Sequence, residues 1–147
     1  MYTRILVATD GSELSGKAVA HAIALAKVHG SELVALKVTL LRVEDHWDGQ
    51  IRRDAVEKAE QEKRWAEASK AIVDGVMALA AAAGVKATAV TEKSNFIADT
   101  VIEVAKKREC DLIVMASHGR RGLARVLLGS ETQHVLTHSH IPVLVLR

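Results

Sequence analysis

Residues Ile5-Leu6-Val7-Ala8-Thr9-Asp10-Gly11-Ser12 decide the fold of this chain, because a short aliphatic run ends there in a polar, glycine-bearing turn. Ile5 to Thr9 reads as a strand buried within a parallel sheet. Immediately afterwards, Leu14 to His29 carries apolar residues at 18, 19, 22, 23, 25 and 26, and Gly30 follows as a stop. A buried strand feeding a helix opens a βαβ succession.

The rest of the chain continues it. Leu33 to Thr39 and Leu112 to Ala116 are aliphatic runs of the same kind, while Val85 to Thr91 is a weaker strand with Val85, Ala87 and Ala89 on one face. Pro142 opens a last strand, Val143 to Leu146, at a position where proline is tolerated. Phe96 to Arg108 repeats as a helix through Ile97, Val101, Ile102 and Ala105, and its basic end Lys106-Lys107-Arg108 suits the helix dipole. Ser130 to His138 is a short helix opened by Ser130-x-x-Gln133, a capping-box pattern. Between Ile51 and Ala83 the second half is amphipathic through Trp65, Ile72, Val76 and Leu79, and Gly84 ends it. The first half, Arg52 to Arg64, is almost wholly polar and reads as solvated helix, with a partner surface as the alternative.

Strands and helices alternate strictly, without a linker or internal repeat. The expectation is one α/β domain over residues 1–147, an open, doubly wound, five-stranded parallel sheet with helices on both faces. Ligands of such sheets bind beyond the carboxyl ends of the strands, where the winding reverses. Two strand-to-helix loops are specialised: Thr9-Asp10-Gly11-Ser12, and the long Ser117 to Leu128. If both serve one site, the first and fourth strands are neighbours and the order is 3-2-1-4-5.

Composition narrows the function. Of 147 residues, 49% are hydrophobic, 26% charged and only 3% aromatic, which suits an aliphatic core and not a stacking platform for nucleic acid. A net charge of +2 gives no general affinity for nucleic acid or membrane. No apolar run approaches the roughly 20 residues of a membrane span. Met1-Tyr2-Thr3-Arg4 leads straight into the first strand, so no targeting segment is expected and a cytoplasmic protein is the default. The lone Cys110 follows a basic helix end and reads as a half-buried structural thiol.

The chemistry concentrates in Met115-Ala116-Ser117-His118-Gly119-Arg120-Arg121-Gly122, continuing through Arg125 and Leu128 to Gly129-Ser130-Glu131-Thr132. Gly119 and Gly122 permit backbone conformations closed to other residues, and Gly129 permits close approach to a ligand just before a helix begins. The free N–H groups and positive dipole end of that helix form an anion site. Ser130 and Thr132 offer hydroxyl donors, and Arg120, Arg121 and Arg125 offer charge. Phosphate is the natural ligand. The competing reading is ordinary: loop glycines, an N-cap serine, and Glu131 complementing the dipole. Neither G-x-x-x-x-G-K-[ST] nor a G-x-G-x-x-G after the first strand is present, which excludes the P-loop and dinucleotide fingerprints.

This loop resembles the signature G-2x-G-9x-G-[ST] of the ATP-binding universal stress proteins, with Ala116, Gly119 and Gly129-Ser130 at its marked positions. Ile5 to Ser12 resembles that family's first strand and turn, and Ile141 to Leu146 its last strand, so the likeness spans the chain. It implies an adenine nucleotide α-hydrolase-like fold. Ala8, Thr9 and Asp10 would then line adenine and ribose, and Val38 would meet adenine through its backbone. Met115 and Ala116 would floor the pocket, while Gly119, Gly129, Ser130, Glu131 and Thr132 would hold phosphates, Glu131 through its backbone alone. Asp10 has a competing role, since Asp-Gly after a strand is common turn chemistry. Ala116 replaces a glycine of the signature. A positive φ there would cost about 1 kcal/mol or more, but strand ends have negative φ, so the methyl should be tolerated.

The resemblance implies a regulator or sensor that binds ATP, with Mg2+ bridging the phosphates and the loop from His118 to Leu128 ordering over them. Hydrolysis would be slow, because no residue is an evident general base. The alternatives are a dimeric interaction module without nucleotide, and an enzyme acting on an adenylated substrate. His134 and His138 have metal-pair spacing, yet no further ligand completes a set. Finally, Val143 to Leu146 would form an uncharged sheet edge, which invites a homodimer through that strand. The family resemblance implies the same pairing, and an unidentified protein partner beside it.

Overall fold

The computed structural model describes residues 1–41, 54–119 and 128–147. Its elements are β1 (Arg4–Ala8), α1 (Glu13–His29), β2 (Glu32–Thr39), α2 (Asp54–Ala82), β3 (Ala87–Lys93), α3 (Ile97–Lys107), β4 (Leu112–Ala116), α4 (Ser130–His138) and β5 (Val143–Leu146). All strand pairs are parallel and the order is β3-β2-β1-β4-β5, the arrangement expected from the two specialised loops.

Side chains alternate across a strand, so each strand feeds two layers. Ile5, Val7, Leu33, Ala35, Leu112 and Val114 face α1 and α2, where Ala18, Ala22, Val73, Val76 and Ala80 meet them. Leu6, Val34, Leu36, Ile113 and Met115 face α3 and α4, which supply Ala98, Val101, Ile102, Ala105 and Val135. Small alanines let the helices lie close to the sheet. The chain leaves β1 towards β2 and returns from β3 to β4 on the opposite face, so the winding reverses between β1 and β4.

Helix ends follow local chemistry. Ser12 caps α1 by accepting from the Ser15 N–H at 3.2 Å, and Gly30 ends it in the left-handed region at φ 67°. The capping box expected at α4 does not form. Gly129 is the N-cap, Ser130 is already helical, and the Gln133 amide donates to the Leu128 carbonyl at 2.9 Å. The cause is the 2.7 Å hydrogen bond from Gly129 N–H to Ser117 O, which fixes the entry of the chain one residue early.

Two further expectations shift. β3 starts and ends two residues late: Val85 is buried before the strand begins, Ala89 is exposed, and Val90 packs into the other layer. As an edge strand it has one neighbour, and its alternation therefore carries little signal. On α2 the buried stripe is Ser69, Val73, Val76 and Ala80, whereas Leu79 is 59% exposed and faces outward. Residues 55–64 are all exposed, as both a solvated helix and a partner surface require; residues 51–53 lie outside the described residues.

At the pole opposite the strand ends, Asp111 ties β1 to the entrance of β4. Its carboxylate accepts from the Thr3 N–H and hydroxyl, both at 2.8 Å, and from the Arg4 N–H at 3.1 Å. Burial works against its charge, but these donors outweigh it and hold the carboxyl below its ordinary pKa. A lowered folded pKa stabilises above the unfolded value, and that stabilisation is lost as pH falls through the folded one. Asp111→Asn should therefore cost about 1 kcal/mol at pH 7. The gap from the native chain, read in urea melts, should close in acid as the native carboxyl protonates. A gap that does not change with pH would contradict this role.

Cys110 is buried, and desolvation pushes its thiol up to about 11. The thiolate is the reactive form. Labelling by a disulfide reagent at neutral pH should thus proceed only at the rate of unfolding, and fast labelling of the folded chain would contradict the burial.

Candidate functional site

Because β1 ends between β2 and β4, the loops after all three converge on one cleft of about 1020 Å³. Ala8, Thr9, Asp10, Val38, Met115, Ala116, Gly119, Gly129, Ser130, Glu131 and Thr132 all line it. These eleven residues, singled out from the sequence for the pocket, thus come together in one place. The arginines Arg120, Arg121 and Arg125, with Gly122 and most of the His118 to Leu128 loop, lie outside the described residues.

On the β1 side, Thr9 is buried, with its hydroxyl 3.0 Å from Ser15 Oγ and its N–H donating to Leu36 O. Asp10 keeps the turn role that competed with ligand binding: its Oδ1 accepts from the Ser12 N–H at 2.9 Å. Its other oxygen, Oδ2, lies against Gly119, where a Cβ would approach it to 2.6 Å. What favours glycine at 119 is the carboxylate beside it, which a side chain there would displace, and not backbone conformation, since its φ is not positive.

The β4 side is built on close backbone contact. Ser117 donates to Leu146 O and accepts from Gly129 N–H, both at 2.7 Å. A Cβ on Gly129 would stand 3.1 Å from Ser117 O and 3.3 Å from the His118 Cα, so glycine lets α4 start directly against the end of β4. The close backbone approach that glycine allows here is to the segment Ser117–His118. Ala116 is 8% exposed and does not have a positive φ, so its methyl sits in the cleft floor without backbone strain.

One sequence expectation about α4 changes here, and the outward turn expected of the Glu131 side chain gains a partner. The Thr132 hydroxyl is not a free donor, because it is buried and donates to Ala116 O at 2.9 Å. Glu131 turns its carboxylate to the Ala98 N–H at 2.8 Å, capping α3, whose own N-cap Phe96 offers no side-chain bond. What remains for a ligand is the backbone. Among the described residues no side chain caps α4, and the N–H groups of Ser130, Glu131 and Thr132 lack intrahelical acceptors. The Ser130 hydroxyl is exposed beside them. This is an anion seat with a fixed positive dipole, from which the Glu131 carboxylate is turned away.

Across β1, Val38 closes the other end. Thr9 donates to Leu36 O, and Ser94 donates to Thr39 O on the β3 side, so the N–H and C=O of Val38 face past the end of β1 into the cleft. Sequence reasoning missed Lys37, Ser69, Asn95 and Ile97, and read Trp65 and Ile72 as core. Trp65, Ala68, Ser69 and Ile72 follow helical spacing and wall the cleft from α2, which the hydroxyl contact Thr39–Ser69 at 2.6 Å joins to β2. A charge inside the aliphatic run Leu33 to Thr39 was the signal that could have found Lys37.

His134 and His138 are stacked at 4.1 Å, and His134 pairs with Asp99 of α3 at 2.8 Å. Their spacing serves helix–helix contact, and no group of three metal-ligand side chains forms among the described residues. β5 lies at the sheet edge, its residues half-buried. Among the described residues no helix is long and apolar enough to cross a membrane.

Known proteins share this arrangement. The model of the universal stress protein family matches residues 1–147. A universal stress protein of Methanocaldococcus jannaschii, MJ0531, is 33% identical over all of this chain and 83% of its own length. The solved universal stress protein UspA of Lactobacillus plantarum is 28% identical, with a TM-score of 0.78 over 99% of this chain and 98% of that one. A universal stress protein solved in complex with cAMP shares the fold, with a TM-score of 0.68 at 24% identity over 99% of this chain and 97% of its own.

Proposed function

We propose that this chain, which belongs to the universal stress protein family, binds ATP in the cleft and acts as a nucleotide-dependent regulator of the stress response. The observation that carries the reading is the uncapped N-terminus of α4 opening on the same cleft as the Val38 backbone. Phosphates would sit on the N–H groups of Ser130, Glu131 and Thr132, with Gly119 and Gly129 keeping the loop close. Adenine would lie between Ala8, Val38 and Met115, over Ala116. Asp10, at the end of β1, would accept a hydrogen bond from a ribose hydroxyl.

Mg2+ enters with the nucleotide in this reading. The described residues offer no three-ligand site of their own, so phosphate oxygens and water would hold the ion. In this reading binding, and not turnover, is the event that is reported, with hydrolysis at most slow. The protein is proposed to work in the cytoplasm as a homodimer, with β5 strands pairing edge to edge about a two-fold axis. A further protein partner would read the loop over the nucleotide.

Denaturing the purified protein and chromatographing the supernatant tests the reading, followed by calorimetry of the stripped chain with Mg-ATP. Adenine nucleotide released, or one Mg-ATP bound per chain, is expected. Neither release nor binding would leave the alternative of an interaction module without nucleotide.

A further inference from the structure

Between Leu33 and Thr39 one charged residue interrupts an aliphatic strand, Lys37. It is half-buried, lines the cleft, and donates its ammonium to the Val38 carbonyl at 2.8 Å. That carbonyl is one of the two backbone groups which face past the end of β1.

Distance assigns this ammonium to one end of a bound nucleotide. The anion seat lies at the end of β4 and Lys37 at the end of β2, with β1 between them, so two strand spacings, about 10 Å, separate the two. A nucleoside spans that gap. With phosphate on α4, the base edge meets Val38 and Lys37.

The chemistry of that edge is mixed. Val38 offers an N–H donor and a C=O acceptor, but the acceptor already carries an ammonium. The 6-amine of adenine is a donor, and must share the carbonyl with Lys37 or displace it. A 6-oxo group is an acceptor, and takes a charge-assisted hydrogen bond from Lys37 directly. We propose that Lys37 reads the 6-position of the purine and admits 6-oxopurine nucleotides alongside adenine nucleotides. The inference rests on the nucleotide reading above and adds the base selectivity of the same site.

ATP and inosine triphosphate differ at this position, so titrating both, with Mg2+, into the full-length chain and into Lys37→Met tests it. Methionine keeps the stem and removes the ammonium. The native chain should bind the two nucleotides within about tenfold of each other, and Lys37→Met should shift the ratio towards ATP by roughly tenfold. Native preference for ATP beyond about a hundredfold, or an unchanged ratio in the variant, would overturn the proposal. A uniform loss of both in Lys37→Met would put the ammonium on phosphate and overturn it too. If the native chain binds neither nucleotide, the nucleotide reading fails, and this inference fails with it.

Discussion

Gly129→Val should raise the dissociation constant for Mg-ATP at least a hundredfold, about 2.7 kcal/mol, while the sheet stays folded. The first added carbon already meets Ser117 O at 3.1 Å and the His118 Cα at 3.3 Å. Both neighbours are backbone, and Ser117 is held on its other side by Leu146. The start of α4 must therefore move, and with it the N–H groups of Ser130, Glu131 and Thr132 that form the anion seat. Overpacking of this kind costs about 1–3 kcal/mol of stability, so the thermal midpoint should drop by several degrees without loss of helix signal. Calorimetry with circular dichroism on the same sample checks both parts. Unchanged affinity in a folded variant would remove the α4 terminus from the site.

The second large effect is on stability. Ile113→Ala should destabilise the chain by about 3–4 kcal/mol and lower its melting temperature by roughly 10 °C. Ile113 is fully buried in β4, an interior strand under the cleft floor, with β1 on one side and β5 on the other. Its layer includes Val101 and Val135 from the two helices on that face. Leu79→Ala is the matched control. Leu79 looks like core by sequence pattern, but it is 59% exposed, and its truncation should change stability by no more than about 0.5 kcal/mol. A large loss at Leu79 would reverse the orientation of α2.

These contrasts show what the chain makes legible. Uninterrupted aliphatic runs announce themselves, even at the edge: β4 and β5 begin and end where the runs do, and β1 and β2 agree to within a residue. The edge strand β3 does not, because one exposed face leaves its alternation weak. The convergence of the site was also legible, since right-handed crossovers and two specialised loops determine which strand ends meet. What each polar side chain does on arrival was not. Thr132 bonds Ala116, sixteen residues away, and Glu131 bonds Ala98, thirty-three residues away. Such pairings depend on packing between elements, and spacing along one helix does not encode them. Gly119 and Gly129 were found by their type, but their reason is a neighbour's oxygen and not φ.

The central claim is that one nucleotide lies across β1, with phosphate at α4 and base at β2. Amide NMR of the stripped, full-length chain titrated with Mg-ATP tests it most directly. The account predicts saturable shifts at one nucleotide per chain for Val38, Gly119, Ser130, Glu131 and Thr132, with Arg4, Glu32 and Asp111 at the opposite pole unmoved. Shifts confined to that opposite pole, or none at all, would contradict it.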